Sequence, residues 1–533
     1  MHTFLKNKRI YIILICISLI YSCAKRGVPE GGPEDVSPPK VIKTFPNNES
    51  VLFSEKYIEI FFDEFIKLDD INSQLVISPP IDVGNYTITP QGGSSKEIKI
   101  ELNENLKDSI TYIFNFGESI KDNNEGNVFK FYKYVMSTGK YVDSLELGGN
   151  VSNSYSIKNK KFITAMLYKF DEEFYDSIPL KEKPNYVSST LDSIYFNFTN
   201  IKPGKYHLIA LKDNNNNFLF DPLVDEIGFY DSPIKLPGEY NIDLKIFKEK
   251  PSFYLYKPFQ EYQNRVNFGY RGDTDELKIN IVDNDDIKTA VTFEEDTDTL
   301  NFWFQKVDFD TIILNVENKK FSNLYKIPIS KKILKIDSLK IETENYNSIE
   351  LGTKFTIKSN IPIYEIDDKL IEVYNKDSTF IDFSTQIVGH NKIILDFEVL
   401  PNDKYVVNLF PKSIIDLYGN TIDSLSYTAT TKKKSDYGSL IINPESFNKL
   451  PLILELVSDN GEIIKSKYIS KELGPYFFDN IKPGDYYLRL IHDKNKNKVW
   501  DAGNYLKKIQ PEETLKSNEK IKIRANWIIR ENL

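Results

Sequence analysis

Short runs in which apolar residues alternate with polar ones, or follow one another without interruption, recur along most of the chain. Clear cases are Tyr57 to Phe62, Glu97 to Leu102, Tyr112 to Phe116, Lys392 to Phe397 and Lys404 to Leu409. A period of two puts successive side chains on opposite faces of a strand, and most of these runs stop at Asn, Asp, Gly or Pro, the residues of turns. Long stretches with helical spacing and caps are scarce. The pattern predicts an all-β chain of tandem β-sandwiches. The N-terminus differs. Lys6, Lys8 and Arg9 precede an apolar run from Ile10 to Ile20, too short to cross a membrane, which reads as a secretory signal. Residues 24–40 are dense in Gly and Pro and read as a flexible tether.

Two internal repeats organise the rest. Ile201 to Asp221 aligns without gaps on Ile481 to Asp501, with 10 of 21 positions identical. In both, Pro-Gly supplies a turn and an alternating strand follows around Tyr206-Leu208 or Tyr486-Leu488. A looser repeat joins Leu106–Asn127, with its Tyr112 strand, Ile120, Asp122, Gly126 and Asn127, to Leu400–Asn420, with its Tyr405 strand, Ile414, Asp416, Gly419 and Asn420.

These segments carry three resemblances. Ile20-Tyr21-Ser22-Cys23 resembles the lipobox of bacterial lipoproteins, which implies cleavage after Ser22 and lipidation of Cys23. The Pro-Gly-x-Tyr hairpin resembles the small sandwiches of the transthyretin-like or carboxypeptidase-regulatory-like group. Ser37-Pro38-Pro39, Phe45-Pro46, Phe62-Asp63-Glu64 and Ser78-Pro79-Pro80, followed by the late Asp122 turn, resemble the S-layer-associated bacterial Ig-like domain of Bacteroidetes lipoproteins. The expected layout is a signal peptide (1–22), lipidated tether (23–36), Ig-like domain (37–140), transthyretin-like sandwich (141–249), an unassigned β domain (250–333), a second Ig-like domain (334–434) and a second transthyretin-like sandwich (435–533). The second Ig-like segment keeps the late turn but lacks the Phe-Asp-Glu and Ser-Pro-Pro elements.

Composition agrees. At 533 residues the chain holds about four or five domains, and its 33 Tyr and 35 Phe suit pleated surfaces. With the signal removed, Cys23 is the one remaining cysteine, so no intramolecular disulfide forms. The mature chain then has 65 basic against 77 acidic residues, net −12, which disfavours nucleic acid and leaves the acyl chain as the attachment to the membrane.

Candidate chemistry is sparse. Asp213, Asn215, Asn217 and Asp221 fall at positions 1, 3, 5 and 9 of one loop, and Asp493, Asn495, Asn497 and Asp501 repeat the spacing. Alternate oxygens of that kind suit calcium. Both loops lack the glycine at position 6 and the glutamate at position 12; Asp225 and Glu226 stand near the first, while only neutral or basic residues follow the second. The readings left open are millimolar calcium binding, best at the first loop, and an Asn-rich turn bonded to its own backbone. No other cofactor is expected.

His207, His390 and His492 occupy non-equivalent places and read as surface or satisfied residues. Asp63 and Glu64, at an expected strand end, face opposite sides and cannot pair as acid and base. Arg271-Gly272-Asp273 reads as an exposed turn. Asp-Ser/Thr followed by an aliphatic residue or Thr recurs nine times, at Ser109, Ser144, Ser177, Ser193, Thr299, Thr311, Ser338, Ser378 and Ser424. It resembles the O-glycosylation acceptor of exported Bacteroidetes proteins, and equally suits a turn that opens a strand.

The chain therefore reads as a non-enzymatic outer-membrane lipoprotein, on the periplasmic or the surface face, acting as a multi-domain scaffold or interaction protein. Its expected partners are the membrane, through the lipid, and an envelope protein or glycan. The alternative is a carbohydrate- or protein-binding surface module. An enzyme ranks third, because no nucleophile–base or metal pattern is spelled out.

Overall fold

The computed structural model describes residues 35–284, 286–305, 310–319, 321–330, 332, 338–444, 449–472 and 474–532. The expected signal segment and Cys23 lie outside the described residues. As the alternation predicts, the regular structure of the described residues is nearly all β, in two compact units, Met1–Ser144 and Leu145–Leu533.

In the first unit, Val41–Phe45, Tyr57–Leu68, Ser95–Leu102 and Tyr86–Thr89 lie side by side in that order, and Ile120–Asp122 pairs with the far half of Tyr57–Leu68. A second sheet consists of Val76–Ser78, Thr111–Asn115 and Lys133–Ser137. Ile58, Ile60 and Phe62 from the first sheet meet Tyr112, Phe114, Tyr134 and Met136 from the second in one core. Full burial of such a side chain is worth about 1.5–3 kcal/mol. Contrary to expectation, Asp63 and Glu64 do not end their strand. It runs on to Leu68, its register slips between Phe61 and Ile66, and Asp63 Oδ1 accepts the Lys40 N–H at 2.8 Å. In the late turn, Asp122 accepts the N–H groups of Asn124, Glu125, Gly126 and Asn127 at 2.7–3.2 Å. Burial pushes this carboxyl up, but those donors hold it below its ordinary value.

The second unit contains four sandwiches. The first and last have one strand order between them. Tyr186–Ser189, Thr164–Lys169, Gly204–Lys212 and Glu226–Phe229 form one sheet, with Ile234–Leu236 also on Gly204–Lys212. Ile463–Ile469, Leu452–Ser458, Gly484–His492 and Thr514–Lys516, with Ile521–Ile523, repeat it. Each second sheet is closed by a parallel strand, Asp243–Ile246 on Leu145–Asn153 and Ile528–Asn532 on Gly438–Asn443. The repeated hairpin has a repeated reason. The Tyr206 hydroxyl donates to the Lys202 carbonyl, and the Tyr486 hydroxyl to the Lys482 carbonyl, both at 2.9 Å across the Pro-Gly turn.

Between them lie two further sandwiches. One has Tyr254–Leu255, Arg265–Arg271, Thr299–Phe304 and Thr289–Glu294 in one sheet, and Lys278–Ile281, Thr311–Asn318 and Phe321–Pro328 in the other. The next repeats the strand order of the first unit with one change: the strand equivalent to Tyr57–Leu68 is split into Phe355–Ser359 and Ile363–Ile366. Pro362 sits in the gap, where it has no N–H to give a ladder. Asp416 caps the matching late turn through the N–H groups of Tyr418 and Asn420, at 2.9 and 2.8 Å.

Candidate functional site

The two aligned repeats, 280 residues apart in sequence, pack against each other. The strands that meet there are buried on both faces. Thr164–Lys169 and Gly204–Lys212 turn Ala165, Leu167, Leu208 and Ala210 into their own core, and Met166, Tyr168, His207, Ile209 and Leu211 are buried on the other side. In the second copy Ile453, Glu455, Val457, Arg489 and Ile491 are buried outside the core that holds Leu452, Leu454, Leu488 and Leu490.

Each copy covers the other with a loop. From the second, Tyr505 descends on the first. Its hydroxyl lies 3.0 Å from His207 Nε2, its ring edges onto Phe220 and Phe229, and its N–H is accepted by Glu249. Gly503 makes the approach possible, because a Cβ there would stand 2.5 Å from the Phe247 ring. Burial depresses His207 to about 4, with the Lys508 ammonium adding to the effect and Asp176 opposing it. From the first copy, Tyr155 stacks on Trp500 with 4.6 Å between ring centroids. The Arg489 guanidinium lies 3.5 Å from the Tyr155 ring centroid and donates to the Tyr155 carbonyl at 3.0 Å. Arg489 Nε also donates to Glu455 at 2.7 Å, in an ion pair that is almost wholly buried.

Lys516 completes the seam by donating to the carbonyls of Asn153 and Ser156. Burial, then Lys245 and Arg489, lower it to about 8. A cavity of about 520 Å³ opens beside these contacts, lined by Tyr230, Asp231 and Lys245 of one copy and Gln510, Glu512 and Thr514 of the other.

The two Asp/Asn loops adopt one geometry. Asp213 accepts the N–H groups of Asn217 and Phe218 at 3.3 and 2.7 Å; Asp493 accepts those of Asn497 and Lys498 at 3.1 and 2.8 Å. Asn217 and Asp221 accept the N–H groups of Leu219 and Leu223, and in the second loop Asp501 accepts the side-chain amides of Asn495 and Asn497. Asn215 lies on the exposed tip. Oxygens of both loops thus meet donors within the same loop, backbone N–H groups in both and side-chain amides in the second. Among the described residues, no three His, Cys, Asp or Glu side chains converge as a metal cluster.

A second carboxylate braces each loop. Asp225 accepts from the N–H groups of Asn214 and Asp221, both at 2.9 Å. Glu226 turns away to Asn153 and Lys160. The second loop does have an acid beside it, against expectation: Glu512 accepts from Lys494 and Asp501 at 2.7 and 3.2 Å. It lies too far along the chain for the spacing to reveal it. Burial raises both Asp213 and Glu512.

Other candidates are dispersed. His390 sits in a turn with φ of 66° and lines a cavity with Tyr364, Ile387 and Leu417. Ser109, Ser144, Ser193, Ser338, Ser378 and Ser424 are exposed, while Ser177, Thr299 and Thr311 are half-buried.

Residues 35–138 match the bacterial Ig-like domain family. That stretch is the first unit's sandwich. No curated protein matches the chain. Among solved structures, the surface layer protein SbsC (domains 1–6) is similar over 86% of this chain and 64% of its own, at 10% identity and a TM-score of 0.14. The chain thus spans less than two thirds of the length of that matched structure. The major pilin subunit BcpA* of Bacillus cereus is similar over 73% of this chain and 99% of its own, at 10% identity and a TM-score of 0.15. A Salmonella α2-macroglobulin mutant is similar over 90% of this chain and 42% of its own, at 9% identity and a TM-score of 0.14. TM-scores this low carry no functional argument.

Proposed function

We propose that the chain is a non-enzymatic scaffold of the cell envelope, exported by its N-terminal signal and held at the outer membrane by lipid on Cys23. The seam is the observation that supports this reading. Buried groups of the kind that serve chemistry elsewhere are here engaged in joining two sandwiches: Arg489 with Glu455 and Tyr155, His207 with Tyr505, Lys516 with two carbonyls. A buried cation already bound to an anion and a carbonyl has little left for a substrate. Its energy goes into fixing one repeat on another. The outcome is a rigid pair of sandwiches at the ends of a four-sandwich segment, suited to holding surfaces at set positions.

The test joins location to architecture. Cells carrying the chain with Cys23→Ala, or with Arg489→Met, are compared with a deletion strain for sensitivity to detergent and to large antibiotics. The proposal expects the Cys23 variant to leave the membrane fraction, and both variants to share the deletion's envelope defect. A deletion strain with an intact envelope and a lost hydrolytic or transfer activity would overturn it.

A further inference from the structure

The third sandwich carries a groove that the seam does not use. It holds about 430 Å³, within the span of ligand pockets, and Leu223, Pro251, Tyr256, Gly269, Arg271 and Asp298 line it. The aromatic side chains here are not core. Tyr254 and Tyr256 are 45% and 48% exposed, on one face of the chain, with ring centroids 5.2 Å apart. Tyr256 lies flat over a glycine, its Cδ2 3.2 Å from where a Gly269 Cβ would stand.

Arg271 is stacked on these rings, its Cζ 4.9 Å from the Tyr254 centroid and 6.0 Å from that of Tyr256. Its Nε is buried without a hydrogen-bond partner, and no carboxylate among the described residues pairs with the guanidinium. Gly272 is there for packing: its φ is +84° and a Cβ would sit 2.6 Å from the Pro251 carbonyl. The Arg-Gly-Asp spelling is thus the end of a groove wall, not a free turn.

We infer that this groove binds a uronic-acid residue of an acidic glycan. The pyranose C–H face packs on Tyr256, the carboxylate takes the guanidinium fork of Arg271, and sugar hydroxyls donate to Asp298. Each role follows from the group. A tyrosine ring gives an apolar face at low entropic cost, and arginine's planar fork matches a carboxylate in two bonds. An unpaired cation beside exposed rings selects an anionic ligand with an apolar face. The chain's net charge of −9 opposes polyanions in general, so binding must be local to this cation.

Calorimetry of the full chain with trigalacturonate, against maltotriose as the neutral probe, tests this. The expected result is a Kd between about 10 μM and 1 mM for trigalacturonate, weakened by salt, with maltotriose at least about tenfold weaker. Arg271→Gln and Tyr256→Ala should each weaken the acidic sugar about tenfold or more, and Arg271→Lys less than Arg271→Gln, with unchanged melting temperatures. Should one variant lose its fold, the other decides. No binding at about 10 mM, equal binding of maltotriose, or indifference to the substitutions would overturn the inference. The scaffold reading would stand in any of these cases, because its test reads the seam and the anchor.

Discussion

The outer faces of the two repeats occupy the same place in the same fold, yet they are closed by opposite chemistry. In the first copy, Met166 stands opposite Ile209 across the ladder, both fully buried. The equivalent pair in the second is Glu455 opposite Arg489. At this position one covered face has an apolar pair, and the other holds a buried ion pair capped by a tyrosine ring. The difference teaches what the seam requires: a filled and satisfied surface, not a particular residue type. The ion pair adds direction, because Arg489 reaches the Tyr155 carbonyl of the other copy.

The largest way to break this comparison is to remove one charge. Arg489→Met leaves Glu455 buried and unpaired, and should cost about 3–5 kcal/mol in chemical denaturation. A loss below about 1 kcal/mol would mean that the pair is solvated in solution.

A smaller effect belongs to His207 on the first copy. Its folded value of about 4 lies below the ordinary 6.5, so between the two the unfolded chain binds the additional proton. The neutral ring's contribution is therefore present above pH 6.5 and lost as pH falls toward 4, by about 3 kcal/mol at most. His207→Gln should remove that part of the acid slope, read as the difference between the two stability–pH curves. Identical slopes would contradict the burial of the imidazole.

The loop braces sharpen the likeness between copies. Asp225→Asn and Glu512→Gln each weaken two backbone hydrogen bonds, and should cost about 1–3 kcal/mol each, equal within error. A cost confined to one copy would show that the shared geometry hides unequal roles. The smallest expected effect is the most instructive. Glu455→Met with Arg489→Ile gives the second copy the apolar pair of the first, and thermal melts should find it neutral or somewhat more stable. A large loss would mean that the charges do more than fill the face.

Much of the fold was legible in the chain. Ile58, Ile60 and Phe62 announce a half-buried strand, and the Pro-Gly-x-Tyr hairpins announce two copies of one unit. The partnership of the copies was not legible, because Arg489–Tyr155 and His207–Tyr505 join residues about 300 apart and no local pattern encodes them. One signal did exist. Tyr206–Leu211 and Leu452–Val457 are nearly unbroken apolar runs, as expected of strands covered on both faces. The spacing of the Asp/Asn loops was visible, but the hydrogen bonds each loop makes to itself were not, because spacing does not report donors. Glu512 escaped for a similar reason: the fold supplies it from another loop.

Hydrogen exchange of the Arg489→Met chain tests the central claim most directly, since a seam that makes one body of two repeats must fail on both sides at once. The account predicts faster exchange in Gly204–Lys212 of the first copy as well as in Leu452–Ser458 and Gly484–His492 of the second. Faster exchange confined to the second copy, with Gly204–Lys212 unchanged, would contradict it.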